Sequence, residues 1–156
     1  MKKIILFLIV AFTLAIGASA QNIILKDGLY YSDNGNLYSG SYTSYLESGN
    51  KKSVFGIING KANGTVTYYY ETGAIMETGA FAENEKNGQW LRWDEAGKKI
   101  AEAYYVSGKK NGTWLVWDNN GTKRYEMVYA MGQKTDTWTM WDENGKISSK
   151  KNYNSL

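Results

Sequence analysis

The chain has 156 residues, enough for one modest domain, with 18 basic and 15 acidic side chains. It contains no His, Cys or Pro, which excludes a disulfide framework, Ser-His or Cys-His catalysis and the usual zinc ligand sets. Setting aside Lys2 and Lys3, which fall in an expected leader, leaves 16 basic residues against 15 acidic ones, a net charge of +1 that argues against a nucleic-acid binder.

Residues 1–20 read as a secretory signal. Lys2 and Lys3 form its charged start, an apolar run covers Ile4 to Ile16, and Ala18-Ser19-Ala20 is an A-x-A cleavage site. The apolar run is 13 residues long, short of the roughly 20 that span a bilayer as a helix. Cleavage after Ala20 is expected to export residues 21–156, to the periplasm, the cell surface or the medium, with no transmembrane segment remaining.

Beyond Ala20 no long window has a 3.6-residue apolar period. Short β-prone runs alternate with Gly, Asn and Asp, the signature of strands and hairpins. A partial copy of a unit occupies residues 27–39. Full copies start near Gly40, Gly64, Gly88 and Gly112, 24 residues apart, and a final copy runs over 136–156. A fixed period of this length marks a repeat array, which typically binds rather than catalyses.

Each copy divides in two. The first strand, as in Gly88 to Trp93, ends in a turn such as Asp94-Glu95-Ala96-Gly97, Asp118-Asn119-Asn120-Gly121 or Asp142-Glu143-Asn144-Gly145. Asp at the first position and Gly at the fourth suit a type I turn closed by a left-handed residue. A second strand follows, from about Lys98 to Tyr105, and a second turn aligns Gly60, Asn84, Gly108 and Gly132. Asp136 stands where other copies have Gly; it tolerates a left-handed backbone better than most residues. The fold expected is all-β: stacked β-hairpin repeats forming an extended, twisted antiparallel sheet, as one domain over 21–156.

The recurring G-x-W-x-x-W-x-x-x-G pattern, then a strand ending in Tyr and a G-K-x-x-G turn, is carried by Gly88, Trp90, Trp93, Gly97, Tyr105, Gly108, Lys109 and Gly112. It resembles the variant (type 2) MORN repeat of the YwqK-type antitoxin family, over about residues 27–153. The resemblance implies a β-repeat fold and a protein partner to be neutralised, with no shared catalytic site.

Strand side chains alternate, so Trp90 and Trp93 face opposite ways. If Asp94 pairs with Lys98 around a three-residue loop, one face carries Leu91, Trp93, Ala101, Ala103 and Tyr105, the expected core. The other carries Trp90, Arg92, Ile100, Glu102 and Tyr104. In the next copy the core face carries Leu115, Trp117, Tyr125, Met127 and Tyr129. The mixed face carries Trp114, Val116, Arg124, Glu126 and Val128. Trp90, Arg92, Trp114, Arg124 and Trp138 on the mixed face form the candidate partner-binding site, because Trp and Arg dominate binding energy at protein interfaces. The structural alternative is a ladder of cross-strand packing that only holds the sheet together.

The acids of the Asp94-Glu95 and Asp142-Glu143 turns are explained by the hairpins, and the pairs Lys51-Lys52, Lys98-Lys99, Lys109-Lys110 and Lys150-Lys151 read as solvated turn residues. No catalytic, cofactor or metal site is expected. The functional expectation is an exported, non-enzymatic module that binds another protein, antitoxin-like by family resemblance. The alternative is a carbohydrate- or cell-wall-binding repeat, for which Tyr68-Tyr69-Tyr70 and Tyr104-Tyr105 are the suggestive aromatic runs.

Overall fold

The computed structural model describes residues 22–153. The expected leader, residues 1–20, and its cleavage site lie outside them. Among the described residues there are strands and no helices. The strands are β1 (Ile24–Lys26), β2 (Leu29–Tyr31), β3 (Gly40–Tyr45), β4 (Lys51–Ile58), β5 (Lys61–Tyr69), β6 (Ile75–Ala82), β7 (Glu85–Trp93), β8 (Lys99–Val106), β9 (Lys109–Lys110), β10 (Gly112–Trp117), β11 (Lys123–Ala130), β12 (Gln133–Trp141) and β13 (Ile147–Asn152). Strands β3 to β13 form one antiparallel sheet in which each strand lies beside its neighbours in sequence, and β9 continues the line of β10 against β8. β1 and β2 make a separate hairpin.

Two kinds of turn alternate along the edges. At one edge the Asp94 N–H donates to the Lys98 carbonyl at 2.9 Å, and the Gly97 N–H returns to the Asp94 carbonyl at 3.0 Å. The Asp94 carboxylate accepts the Lys98 N–H, an Asx-type closure that explains Asp at this position. At the other edge both central residues are left-handed, as in Ser107 (φ 45°) and Gly108 (φ 73°). That is a two-residue type I′ turn, whose twist matches that of the flanking strands. The sequence reading found the second residue of these turns but not the first.

The copies are also pinned edge to edge. Gly108 N–H donates to the Lys86 carbonyl at 2.9 Å, and Gly132 N–H donates to the Lys110 carbonyl at 2.7 Å. Asn87 and Asn111, one copy apart, accept the Ser107 and Met131 N–H groups through their side chains. Asp136 takes the expected left-handed conformation, at φ 58°.

The register corrects the expected faces. Trp93 does pair with Lys99, as the three-residue loop requires, but the next pair is Arg92 with Ala101. Ile100 is an extra, bulged residue that shifts the rest of the second strand by one. Lys52, Met76, Arg124 and Ser148 are bulged at the same place in the other copies. Trp90, Arg92, Ala101, Ala103 and Tyr105 therefore share one face, and Leu91, Trp93, Lys99, Glu102 and Tyr104 share the other. In the next copy Trp114, Val116, Tyr125, Met127 and Tyr129 lie together, opposite Leu115, Trp117, Lys123, Glu126 and Val128. The expected core face, with Leu91 and Trp93 beside Ala101, and the mixed face, with Trp90 beside Glu102, are both overturned by that single insertion.

The packed centre of the sheet is an aromatic row on the Trp90 face. It runs through Tyr30, Tyr42, Phe55, Phe81, Trp90, Tyr105, Trp114, Tyr129, Trp138 and Tyr153, with successive ring centroids 4.9–6.5 Å apart. Most of these rings meet at steep angles, the geometry their quadrupoles favour. The β1–β2 hairpin caps one end: Tyr30 N–H donates to the Gly60 carbonyl, and Asn84 donates to the Gly28 carbonyl.

Candidate binding face

The aromatic row is topped by lysines, and the strand register explains why. Lys86, Lys110 and Lys134 lie directly opposite Phe81, Tyr105 and Tyr129. Each also precedes the next tryptophan by four residues, so it points to the same face. The Lys86 ammonium is 3.7 Å from the Trp90 ring centroid and 5.2 Å from that of Tyr105. Lys110 is 4.4 Å from Trp114 and 4.9 Å from Tyr129. Lys134 is 4.6 Å from Trp138 and 5.3 Å from Tyr153, and Lys151 stands 5.1 Å from Tyr153. Each such contact contributes about 0.5–1 kcal/mol at an exposed site. Lys110 and Lys151 thus leave the class of purely solvated turn lysines.

The tryptophans of this row are not equivalent. Trp90 is 2% exposed and lies flat over Gly79, where a Cβ would overlap the indole. Trp114 and Trp138 are half-buried. They donate their indole N–H groups to the carbonyls of Tyr104 and Val128 at 3.0 Å each. The Trp90 indole nitrogen is buried without a hydrogen-bond partner among the described residues. Burial pushes the Tyr105 hydroxyl above its ordinary 10.0, with the charge of Glu77 and then Tyr129 adding to it.

Of the residues singled out from the sequence, Trp90, Trp114 and Trp138 do fall in one row, linked through Tyr105 and Tyr129. Arg92 is exposed and shares their face. Arg124 does not join them. As the bulged residue it turns to the loop edge, where its guanidinium donates to the Trp141 carbonyl and to the Asp118 carboxylate. Burial acts to raise the Asp118 pKa, but the Thr122 and Asn120 N–H groups and Arg124 outweigh it and leave the carboxyl below its ordinary value. Lys86, Lys110 and Lys134 were missed as site residues, although their place four residues before each Trp is visible in the sequence.

The face is cationic. Register places Lys86, Arg92, Lys110, Lys134 and Lys151 on it. Glu77 faces them and pairs with Lys86 at 3.0 Å, while the Asp136 carboxylate accepts the Thr137 N–H. Lys110, Lys134 and Lys151 form no ion pair with a described carboxylate. On the opposite face the charges cancel locally: Lys99 pairs with Glu102 and Lys123 with Glu126 at 2.8 and 2.7 Å, beneath Trp117 and Trp141.

The model of the MORN repeat variant matches residues 62–82, 86–107, 110–130 and 137–155, more than half of the chain. The protein belongs to this MORN-repeat family. The earlier copies, before Ala62, lie outside the matches but form the same kind of hairpin. No curated protein matches the chain. A solved structure of accessory secretory protein 1, 2 and 3 in Streptococcus pneumoniae is similar at 13% identity and a TM-score of 0.37, over 69% of this chain and 22% of that one. A GtfA/B complex bound to UDP and GlcNAc is similar at 10% identity and a TM-score of 0.28, over 85% and 24%. The MORN-repeat chain thus spans less than a quarter of each of those chains, and likeness at this level carries no argument about function.

Proposed function

We propose that the chain is exported and serves as a non-catalytic module that binds another protein through its aromatic, lysine-topped face. The observation that carries this reading is the asymmetry of the sheet. One face neutralises its own charges in Lys–Glu pairs, whereas the other holds Lys110, Lys134 and Lys151 over aromatic rings without a described acid. Electrostatic complementarity of this kind steers a partner and fixes its register. The tilted rings support a protein partner over a glycan, because sugar stacking needs open flat faces and here lysines cover them.

The test is affinity capture from source cells with the purified chain, with a Lys110→Glu/Lys134→Glu variant, and with Glu102→Gln on the opposite face. A protein retained by wild type and Glu102→Gln but lost from the double variant is the expected result. Equal retention by all three, or wild-type binding to purified cell-wall glycan in place of a protein, would overturn the reading.

A further inference from the structure

The proposed binding face has a spacing that specifies its partner. Lys86, Lys110 and Lys134 sit one copy apart, on β7, β9 and β12, and consecutive ones are separated by two strand positions across the sheet. Two strand spacings are about 10 Å. A polyproline II segment advances about 3.1 Å per residue with three residues per turn, so every third side chain returns to the same side after nearly the same distance. We infer that the face binds an acidic polypeptide segment in the polyproline II conformation laid across the strands, with an Asp or Glu at every third position, each carboxylate on the same side and meeting one ammonium of the lysine row. This rests on the protein-binding reading above and adds the chemistry and periodicity of the partner.

Three further features fit. Each ammonium is held by two rings, Trp114 and Tyr129 in the case of Lys110, so it is positioned before a carboxylate arrives and less side-chain freedom is lost on binding. Lys110 and Lys134 remain exposed and open to a partner. The residues between the acids would lie over the half-buried edges of Trp114 and Trp138 and over Met127 and Ala103, which the register places on this face. Lys86 is already engaged by Glu77, so Lys110 and Lys134 carry most of the recognition.

The test uses fluorescent peptides titrated into the full chain by anisotropy. One peptide has Glu at every third position over twelve residues; a second has the same composition with its Glu residues clustered. The regular peptide is expected to bind at least several-fold more tightly, and to weaken as salt rises. Lys110→Gln and Lys134→Gln should each weaken it about two- to fivefold, with an unchanged far-ultraviolet spectrum showing that the fold persists. Equal binding of the clustered peptide overturns the spacing. Tighter binding of a sulfated polysaccharide or of vesicles rich in anionic lipid overturns the polypeptide as occupant. If neither peptide binds while the capture experiment still yields a protein lost from Lys110→Glu/Lys134→Glu, this inference fails and the broader reading stands.

Discussion

Gly79 is the seat of Trp90: the indole lies so close over the glycine Cα that no side chain fits between them. Trp90 on β7 reaches over Gly79 on β6, where the register between the two strands breaks, and is the most deeply covered tryptophan of the row. Gly79→Ala should therefore cost about 1–3 kcal/mol through overpacking, read as a lower urea midpoint at unchanged slope. In a Trp90→Leu background the same substitution should cost much less. Additive losses would mean that the two residues do not meet in this way.

Trp90→Ala should destabilise by about 3–5 kcal/mol, the usual cost of emptying a buried aromatic site. Trp93→Ala, on the opposite and more open face, should cost less. Urea denaturation of the two variants gives the order directly, and the reverse order would restore the face assignment that the bulge at Ile100 removes.

Met131 is the least suited residue in any of the type I′ turns. It sits at φ 48°, is half-exposed, and contributes a backbone N–H to Asn111 that Asn in its place would retain. Met131→Asn should raise stability by about 0.5–1 kcal/mol, since Asn adopts this conformation with less strain. A fall in the melting temperature would contradict the turn geometry.

Glu102 supplies a pH dependence. Its hydrogen bond to Lys99, assisted by Gln89 and by the charge of Lys99, outweighs partial burial and holds its carboxyl below the ordinary 4.5. A group with a depressed folded pKa stabilises fully above its unfolded value, and that contribution is lost as pH falls through the folded one. The melting temperature should therefore decline as pH drops below about 4.5, and Glu102→Gln should flatten part of that decline. No difference between the two profiles below pH 4.5 would show that the Lys99 contact adds nothing.

Much of the fold was legible because its signals are local. The return of Gly97, Gly121 and Gly145 marks turns that the backbone demands, and Asp136 could be matched to a left-handed site from its alignment with Gly88 and Gly112. The three-residue loop joining Asp94 to Lys98 was also read correctly. The bulge beside it was not, because nothing in the identity of Ile100, Arg124 or Met76 distinguishes a bulged residue from a paired one. That one insertion moved Trp90 from the expected mixed face to the packed row and sent Arg124 to the loop edge. The role of the lysine row was missed for a related reason, although its four-residue offset from each Trp stands in the sequence. Lys109 and Lys110 look alike in sequence, and only the pairing of Lys110 with Tyr105 puts its ammonium over aromatic rings.

Because every strand of the large sheet bonds only to the segments just before and after it in the chain, length is a free variable here. A 24-residue block could be duplicated or deleted between the β1–β2 cap and β13 without rerouting any connection. Each such event would add or remove one rung of charge and rings together. A gene carrying this pattern can therefore change the reach of its product by recombination alone, leaving the chemistry of every remaining rung as it was.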